Sequence, residues 1–338
     1  MLHAGNPLVE ATVIHRQGST PRSAGAKMII GSDGRMVGSL GGGMLEAEVI
    51  RTAQVVFQSA KPQILLFDLT DTDAATQGMI CGGRNDVLLD FIPAGTSGEH
   101  LFQDRLDALK KKRPAHYVTL LYGDAHTLDG SDHHLIPAGG PMPRLSGLPP
   151  AIANQIAAIG HRSPTLYCIA DHNPWAVVEV LQKPRVVYLF GAGHVAVPTA
   201  HFAAQVGFEV VVLDDRQAFA NPQRFPLALE THVLEDFSRP FDAIVVDEDA
   251  FLVIATRGHV HDRTVLSLAL STSAAYIGMM GSRSKRQAVY EALLTEGFSQ
   301  EDLDRVHCPI GLSIAAETPE EIGISIVAEL IRCRAAGR

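Results

Sequence analysis

Tryptophan occurs once in these 338 residues and cysteine only four times. Cys81, Cys168, Cys308 and Cys333 are far apart and form no C-x-x-C pair. That excludes a disulfide scaffold and argues against a structural zinc site. The first residues show no basic-then-apolar signal, and no apolar run approaches the length needed to cross a bilayer, so no membrane attachment is expected. Cations are in the minority: 28 Lys and Arg stand against 37 Asp and Glu, a net charge of −9. Broad binding to nucleic acid or to anionic lipid is therefore not expected. The one basic run, 110–113, closes a helical pattern before Pro114, where cations suit the helix dipole. A reduced, cytoplasmic protein is the natural expectation. What is abundant is apolar: 46% hydrophobic residues over a length that suits about two domains.

Near residue 184 the character of the chain changes. Residues 186–190 are an unbroken apolar run, followed by Gly191, Gly193 and Ala196 in a G-x-G-x-x-A turn. An amphipathic stretch and a second apolar run then end at Asp214, about twenty residues further on, as a dinucleotide-type β-α-β unit requires. Gly191 allows the tight turn, Gly193 lets backbone amides approach a pyrophosphate, and Ala196 lets the helix lie close to the sheet. Asp214 would accept from a ribose hydroxyl. Asp214 and Asp215 together disfavour a 2′-phosphate, an effect that Arg216 would offset. Further strands are predicted at 243–246, 251–255 and 275–279, with helices over 195–206, 262–270 and 284–296. This rhythm predicts a doubly wound parallel sheet. Thr318, Pro319 and Glu321 mark the start of a final helix with a capping box.

The first part is less regular and reads as α+β. Strands are expected at 11–14, 27–30, 64–69 and 86–92, with a helix over 46–58. Residues 117–121 and 133–140 weakly echo the chain's opening strands, a hint of internal repetition. Residues 137–150 are rich in Pro and Gly and predict a loop. The domain boundaries follow as 1–184 and 185–338.

Several segments could carry chemistry. GSTPRSAGAK at 18–27 offers Ser19, Arg22 and Lys27 in a loop suited to an oxyanion, or an ordinary hairpin. GSLGGGMLE at 38–46 places Gly42, Gly43 and Glu46 before a helix. Consecutive glycines are costly unless the backbone must approach something closely, and Glu46 suits either a helix start or a ligand. In GMICGGR at 78–84, Cys81 is followed by Gly82 and Gly83, so little bulk shields it, and Arg84 would favour the thiolate. Cys168 and Cys333 read as structural. ATRGHVHD at 255–262 puts His259 and His261 after a strand, as polar loop residues or as metal or proton-relay groups. Ser282 and Arg283 open another helix where a phosphate could sit. His194 completes the candidates.

Taken together and in this order, 11–46, CGG at 81–83, LFGAGHVA at 189–196, LDDR at 213–216, YIGMMGSRSKR at 276–286 and 309–330 resemble the XdhC/CoxI family. These are accessory proteins of molybdenum hydroxylases such as xanthine dehydrogenase. The resemblance implies an N-terminal XdhC-type domain and a C-terminal Rossmann-like domain, often in a homodimer. It implies binding of the molybdenum cofactor (molybdopterin), its sulfuration with a cysteine desulfurase, and its delivery to an apo molybdenum hydroxylase. Such a chain would be a chaperone and not an enzyme. Cys81 would touch the molybdenum, and the glycine- and cation-rich loops would hold the phosphate. Many relatives carry cysteine where this chain has Met44, so two-cysteine chemistry is not expected. Two alternatives rest on the β-α-β unit alone: an NAD(P)-dependent oxidoreductase, for which only His194, His259 and His261 offer themselves as acid or base, and a dinucleotide-sensing regulator.

Overall fold

The computed structural model describes residues 2, 5–18, 22–68, 83–110, 114–124, 127–138, 148–159, 166–169 and 173–336. The chain forms two compact units, Met1–Lys183 and Pro184–Arg338.

The first unit contains two antiparallel sheets. Strands β1 (Leu8–Gly18), β2 (Lys27–Gly31), β3 (Met36–Gly38), β4 (Gln63–Asp68) and β5 (Gly83–Ile92) make one, in the order β3-β2-β1-β5-β4. Helix Gly43–Ser59 lies between β3 and β4 in sequence. It buries Leu45, Val49, Ala53 and Val56, spaced to form one helical stripe. Strands β6 (Ala115–Gly123), β7 (Leu128–Pro137), β8 (Leu166–Ile169) and β9 (Trp175–Leu181) make the other, in the order β7-β6-β9-β8. Helix Pro150–Ala158 lies between β7 and β8 in sequence. With β3 set aside, both sheets have one topology: hairpin, helix, hairpin, with the first and last strands paired at the centre. The faint echo between 117–140 and the chain's opening is thus a repeated ββαββ motif.

Strand β1 is buried from Leu8 through Ile14 without alternation, because both of its faces are covered. Val9, Ala11 and Val13 pack with the stripe of helix Gly43–Ser59. On the other face Ile14 and Leu88 pack with Leu121, Leu128, Leu166 and Val177 of the second sheet. The second sheet mirrors this, with Val118, Leu120, Ala176 and Val178 packed with Ile152 and Ile156 of its own helix. The unit is therefore layered helix, sheet, sheet, helix.

In the second unit β10 (Val186–Phe190), β11 (Glu209–Asp214), β12 (Glu230–Val233), β13 (Ala250–Ile254), β14 (Tyr276–Met279) and β15 (Val306–His307) are all parallel. Their order, β12-β11-β10-β13-β14-β15, is that of a doubly wound dinucleotide-binding sheet, with its switch point between β10 and β13. Helices His259–Leu270 and Arg283–Thr295 cover one face, and Ala196–Gln205 and Pro319–Ala336 the other. The final helix starts as its sequence predicts: Thr318 and Glu321 exchange side-chain to backbone hydrogen bonds in a capping box.

Two expectations fail. Residues 243–246 are not a strand. Strand β13 occupies the place beside β10, and Ile244 and Val246 pack against the core from an irregular segment while Val245 faces solvent. Cys168 is not a core residue; it is exposed on β8, an edge strand.

Candidate functional site

Three of the singled-out segments leave the first sheet toward the same end, at two levels. The β1–β5 register ends on the pair Gly18–Gly83. Strands β2 and β3 run toward the same end but stop short of it, since Met28 faces Gly38 on one side and Ala11, seven residues before Gly18, on the other; β4 reaches it with Asp68 opposite Arg84. The loop opening with Gly18 and the chain before Gly83 are therefore anchored side by side, while the glycine loop after Gly38 starts beside Lys27, where segment 18–27 re-enters the sheet. Arg22 is exposed. Ser19, Cys81 and Gly82 lie outside the described residues, while Gly83 is buried in β5.

The glycine loop is organised from within. Gly41, Gly42 and Gly43 all have φ in the left-handed region, which residues with a Cβ adopt only at a cost. Glu46 lies below them on the first turn of helix Gly43–Ser59. Its Oε1 accepts from the Ser39 hydroxyl at 2.8 Å, the Leu40 amide at 2.8 Å and the Gly42 amide at 2.9 Å. These bonds, the Ser39 hydroxyl foremost, hold the Glu46 carboxyl below the usual range. The candidate ligand contact is thus a strut for the loop. A side chain on Gly42 would meet no atom within 4 Å, so the space above the loop is open.

Lys27 is likewise not available to an external anion. Its Nζ lies 2.5 Å from Glu10 Oε1, 2.8 Å from Thr12 Oγ1 and 3.0 Å from Glu179 Oε2. This belongs to a polar seam between the two sheets that sequence patterning does not reveal. Register relates its members by the internal repeat. Glu10 faces Asp90 and Thr12 faces Lys27 in the first sheet; Tyr117 faces Glu179 and Thr119 faces His133 in the second. The contacts cross over. Lys27 reaches Glu179 of the second sheet, and His133 Nε2 reaches Asp90 of the first at 3.2 Å. His133 Nδ1 also lies 2.9 Å from the Tyr117 hydroxyl. Arg105, from helix Thr96–Lys110, donates to Glu10 at 2.7 Å and lies over the Tyr117 ring at 4.2 Å. Burial alone would raise the Glu10 carboxyl; Lys27 and Arg105 outweigh it and hold the group at about 2. Burial does prevail at Asp90, whose carboxyl is raised.

In the second unit the remaining candidates gather at the carboxyl edge of the parallel sheet, where ligands bind in such folds. Gly191, at φ +108°, must be glycine: a Cβ there would come within 2.2 Å of the Ala255 carbonyl oxygen. Gly193 differs, because a Cβ on it would meet nothing within 4 Å. No side chain caps helix Ala196–Gln205, so its N-terminal end presents amides to that space. His194 is exposed beside it.

Asp214 does not fit its expected role as a ribose acceptor. It is 1% exposed, and both carboxylate oxygens are engaged by the protein. Oδ2 accepts from the Ala192 amide at 2.7 Å and from Arg216 Nη2 at 2.8 Å; Oδ1 accepts from the Arg216 amide and Nε. Burial would raise this carboxyl, but the Arg216 and Ala192 bonds outweigh it and lower it. Asp214 thus ties the glycine turn to Arg216. The guanidinium of Arg216 is fixed in plane, 3.7 Å from the centroid of the Phe219 ring. Arg257, from the loop after β13, pairs with Asp215 at 2.6 Å.

Ser282 is the N-cap of helix Arg283–Thr295 and accepts from the Lys285 amide, so that hydroxyl is taken, while Arg283 is exposed. His259 starts helix His259–Leu270 and, with Arg263, Ser284 and Lys285, lines a groove of about 650 Å³. Lys285 is paired with the fully buried Asp262. Asp262 also accepts from the Thr256 hydroxyl at 2.7 Å, a brace between helices that sequence reasoning missed. Among the described residues, no three His, Cys, Asp or Glu are grouped to hold a metal ion, and no helix is long and apolar enough to cross a membrane.

A Rossmann-like domain following a β-rich domain is thus the class of protein that fold and site define. The chain belongs to the XdhC and CoxI family. That family's profile matches residues 1–68, and the profile of the XdhC Rossmann domain matches 187–330. A Bacillus subtilis protein, named as a probable component of xanthine dehydrogenase, is 27% identical over 333 residues, covering 96% of this chain and 93% of the relative. An Escherichia coli protein, the uncharacterized YqeB, is 26% identical over 328 residues; the match covers 97% of this chain but only 44% of that longer protein. A crystal structure of a Bacillus halodurans protein described as a xanthine dehydrogenase superposes with a TM-score of 0.81 at 28% identity, over 98% of this chain and 93% of that one.

Proposed function

We propose that this chain is an accessory protein of a xanthine dehydrogenase-type molybdenum hydroxylase. In this reading it holds the molybdenum cofactor as cargo and passes it to the apo-hydroxylase, working in the cytoplasm as a homodimer together with a cysteine desulfurase. The observation that carries the reading is that segment 18–27 links the other two glycine-rich segments, its first residue paired with Gly83 and its last beside Gly38. Family membership and the name of the Bacillus subtilis relative support it. The residues present suit a phosphate-bearing pterin in chemical type. Gly42 faces open space, Arg22 supplies an exposed cation, and Cys81 supplies the soft sulfur that molybdenum prefers. Lys27, Glu46 and Asp214 are committed elsewhere in the fold and are not part of the proposed site.

The test is purification from a host that makes the cofactor, followed by oxidation and fluorimetry of the released pterin. Retained pterin, reduced by Cys81→Ala with the fold intact, is the expected result. Preparations without pterin that instead bind NAD(H) or NADP(H) tightly would overturn it. A second reading, a dinucleotide-binding regulator, is favoured by one observation: the open space over Gly193 beside the uncapped end of helix Ala196–Gln205. An oxidoreductase has less support, since the Asp214 carboxylate is engaged within the fold and the His261 ring packs on Phe237.

A further inference from the structure

The last helix carries a cysteine in a setting that nothing in the proposed function uses. Cys333 Sγ lies 4.0 Å from His307 Nε2. The other ring nitrogen, His307 Nδ1, faces Glu329 Oε1 at 3.4 Å. That carboxylate favours the tautomer with the proton on Nδ1 and leaves Nε2 an acceptor aimed at the thiol. The ring is held from a second side, stacked on Tyr276 with centroids 4.6 Å apart. Glu329 is itself fixed, accepting from the Tyr276 hydroxyl, the Gly311 amide and Arg332, each at 2.8 Å. Nucleophile and orienting acid thus sit one turn apart on helix Pro319–Ala336, and the base comes from edge strand β15.

We propose that Cys333 is a reactive thiol, with His307 as its base and Glu329 as the residue positioning that base, and that it exchanges with small disulfides. Burial and the Glu329 carboxylate keep the resting group a protonated thiol, so reaction requires proton removal at the moment of attack. In the step, the Sγ proton passes to His307 Nε2 and Sγ attacks one sulfur of the disulfide R–S–S–R. The S–S bond breaks as the Sγ–S bond forms. The leaving RS⁻ takes the proton from His307, so Cys333 is oxidised to a mixed disulfide and the small disulfide is reduced to a thiol. A small disulfide is the apt substrate class because exchange needs a positioned base and an approach path but no enclosed pocket. Cys333 is partly exposed.

The test uses the full chain with oxidised glutathione, with adduct formation at each cysteine followed by peptide mass spectrometry. Cys168 is the internal control. It is more exposed than Cys333, and burial raises its thiol too, with the Asp86 carboxylate adding to the rise. Cys333 is expected to react about tenfold faster than Cys168 or more, as a positioned base allows. His307→Phe, which keeps a ring to stack on Tyr276, should bring Cys333 down to the rate of Cys168 and leave Cys168 unchanged. Should the variant fail to fold, the wild-type pH profile decides: the Cys333 rate must follow a second titrating group that the Cys168 rate lacks. Equal rates at the two cysteines, an unchanged rate in His307→Phe, or identical pH profiles would each overturn the proposal.

Discussion

The Lys27 ammonium lies 3.0 Å from a carboxylate oxygen of Glu179, a residue of the opposite sheet that the repeated topology equates with Asp90. The ammonium is therefore part of the tie between the two halves of the first unit. Lys27→Met should cost about 3–5 kcal/mol, because Glu10 and Glu179 lose a cation they were buried against. Denaturant unfolding followed by a probe in the first unit measures it. A variant as stable as wild type but weaker in cofactor retention would return Lys27 to the ligand site.

Acid should unpick the same seam. The Glu10 carboxyl titrates at about 2 in the fold against its ordinary 4.5. A depressed carboxyl contributes stability that is fully present above its unfolded value and is lost as pH falls toward its folded one. Stability should thus decline between about pH 4.5 and 2, and Glu10→Gln should flatten that part of the curve at the cost of lower stability at neutral pH. Unfolding midpoints measured across this range decide the matter. The Glu329 carboxyl, also at about 2, adds a parallel decline that Glu10→Gln leaves in place.

The two turn glycines should separate structure from binding. Gly191→Ala forces a Cβ against the Ala255 carbonyl at a left-handed φ, and should destabilise by about 1–3 kcal/mol or more. Gly193→Val enters open space and should change stability by less than about 0.5 kcal/mol, while blocking any nucleotide that uses this turn. Thermal unfolding and titration with NADH and NADPH on both variants give the comparison. A nucleotide that binds Gly193→Val with wild-type affinity would mean that the turn serves only the fold.

Glu46→Ala should loosen the glycine loop. It leaves the Leu40 and Gly42 amides without their acceptor, a loss of about 1 kcal/mol or more. Hydrogen exchange at these two amides should quicken while the helix behind them stays protected. Unchanged exchange would show that the three left-handed glycines hold the loop unaided.

The parallel half of the molecule is legible in sequence because its signals are local. Buried β10 is an unbroken apolar run and β11 is apolar from Val210 to Leu213, the glycine turn is a short motif, and Thr318, Pro319 and Glu321 mark a helix start within four residues. Even there, 243–246 mislead, since a strand needs a neighbour as well as apolar residues. The antiparallel half is harder. Lys27 reads as a phosphate contact in a polar loop, and Asp214 as a ribose contact at a strand end. Both sit where such residues often bind ligands, and only long-range geometry reveals Glu179 and the Ala192 amide as their partners. Cys333 reads as structural for the same reason: His307 is 26 residues away in the chain. The pairing of Gly18 with Gly83 and the approach of Gly38 to Lys27 depend on register, which no single motif encodes.

The crossed contacts of the seam bear on how the first unit can be divided or borrowed. Each ββαββ half places a carboxylate beside a basic side chain of the other, Glu179 for Lys27 and Asp90 for His133. Severed between β5 and β6, one piece would leave Asp90 without His133 and the other would leave Glu179 without Lys27, although each keeps a complete sheet and a covering helix. The repeat is thus an indivisible pair: two copies of one architecture that have become mutually dependent folding partners.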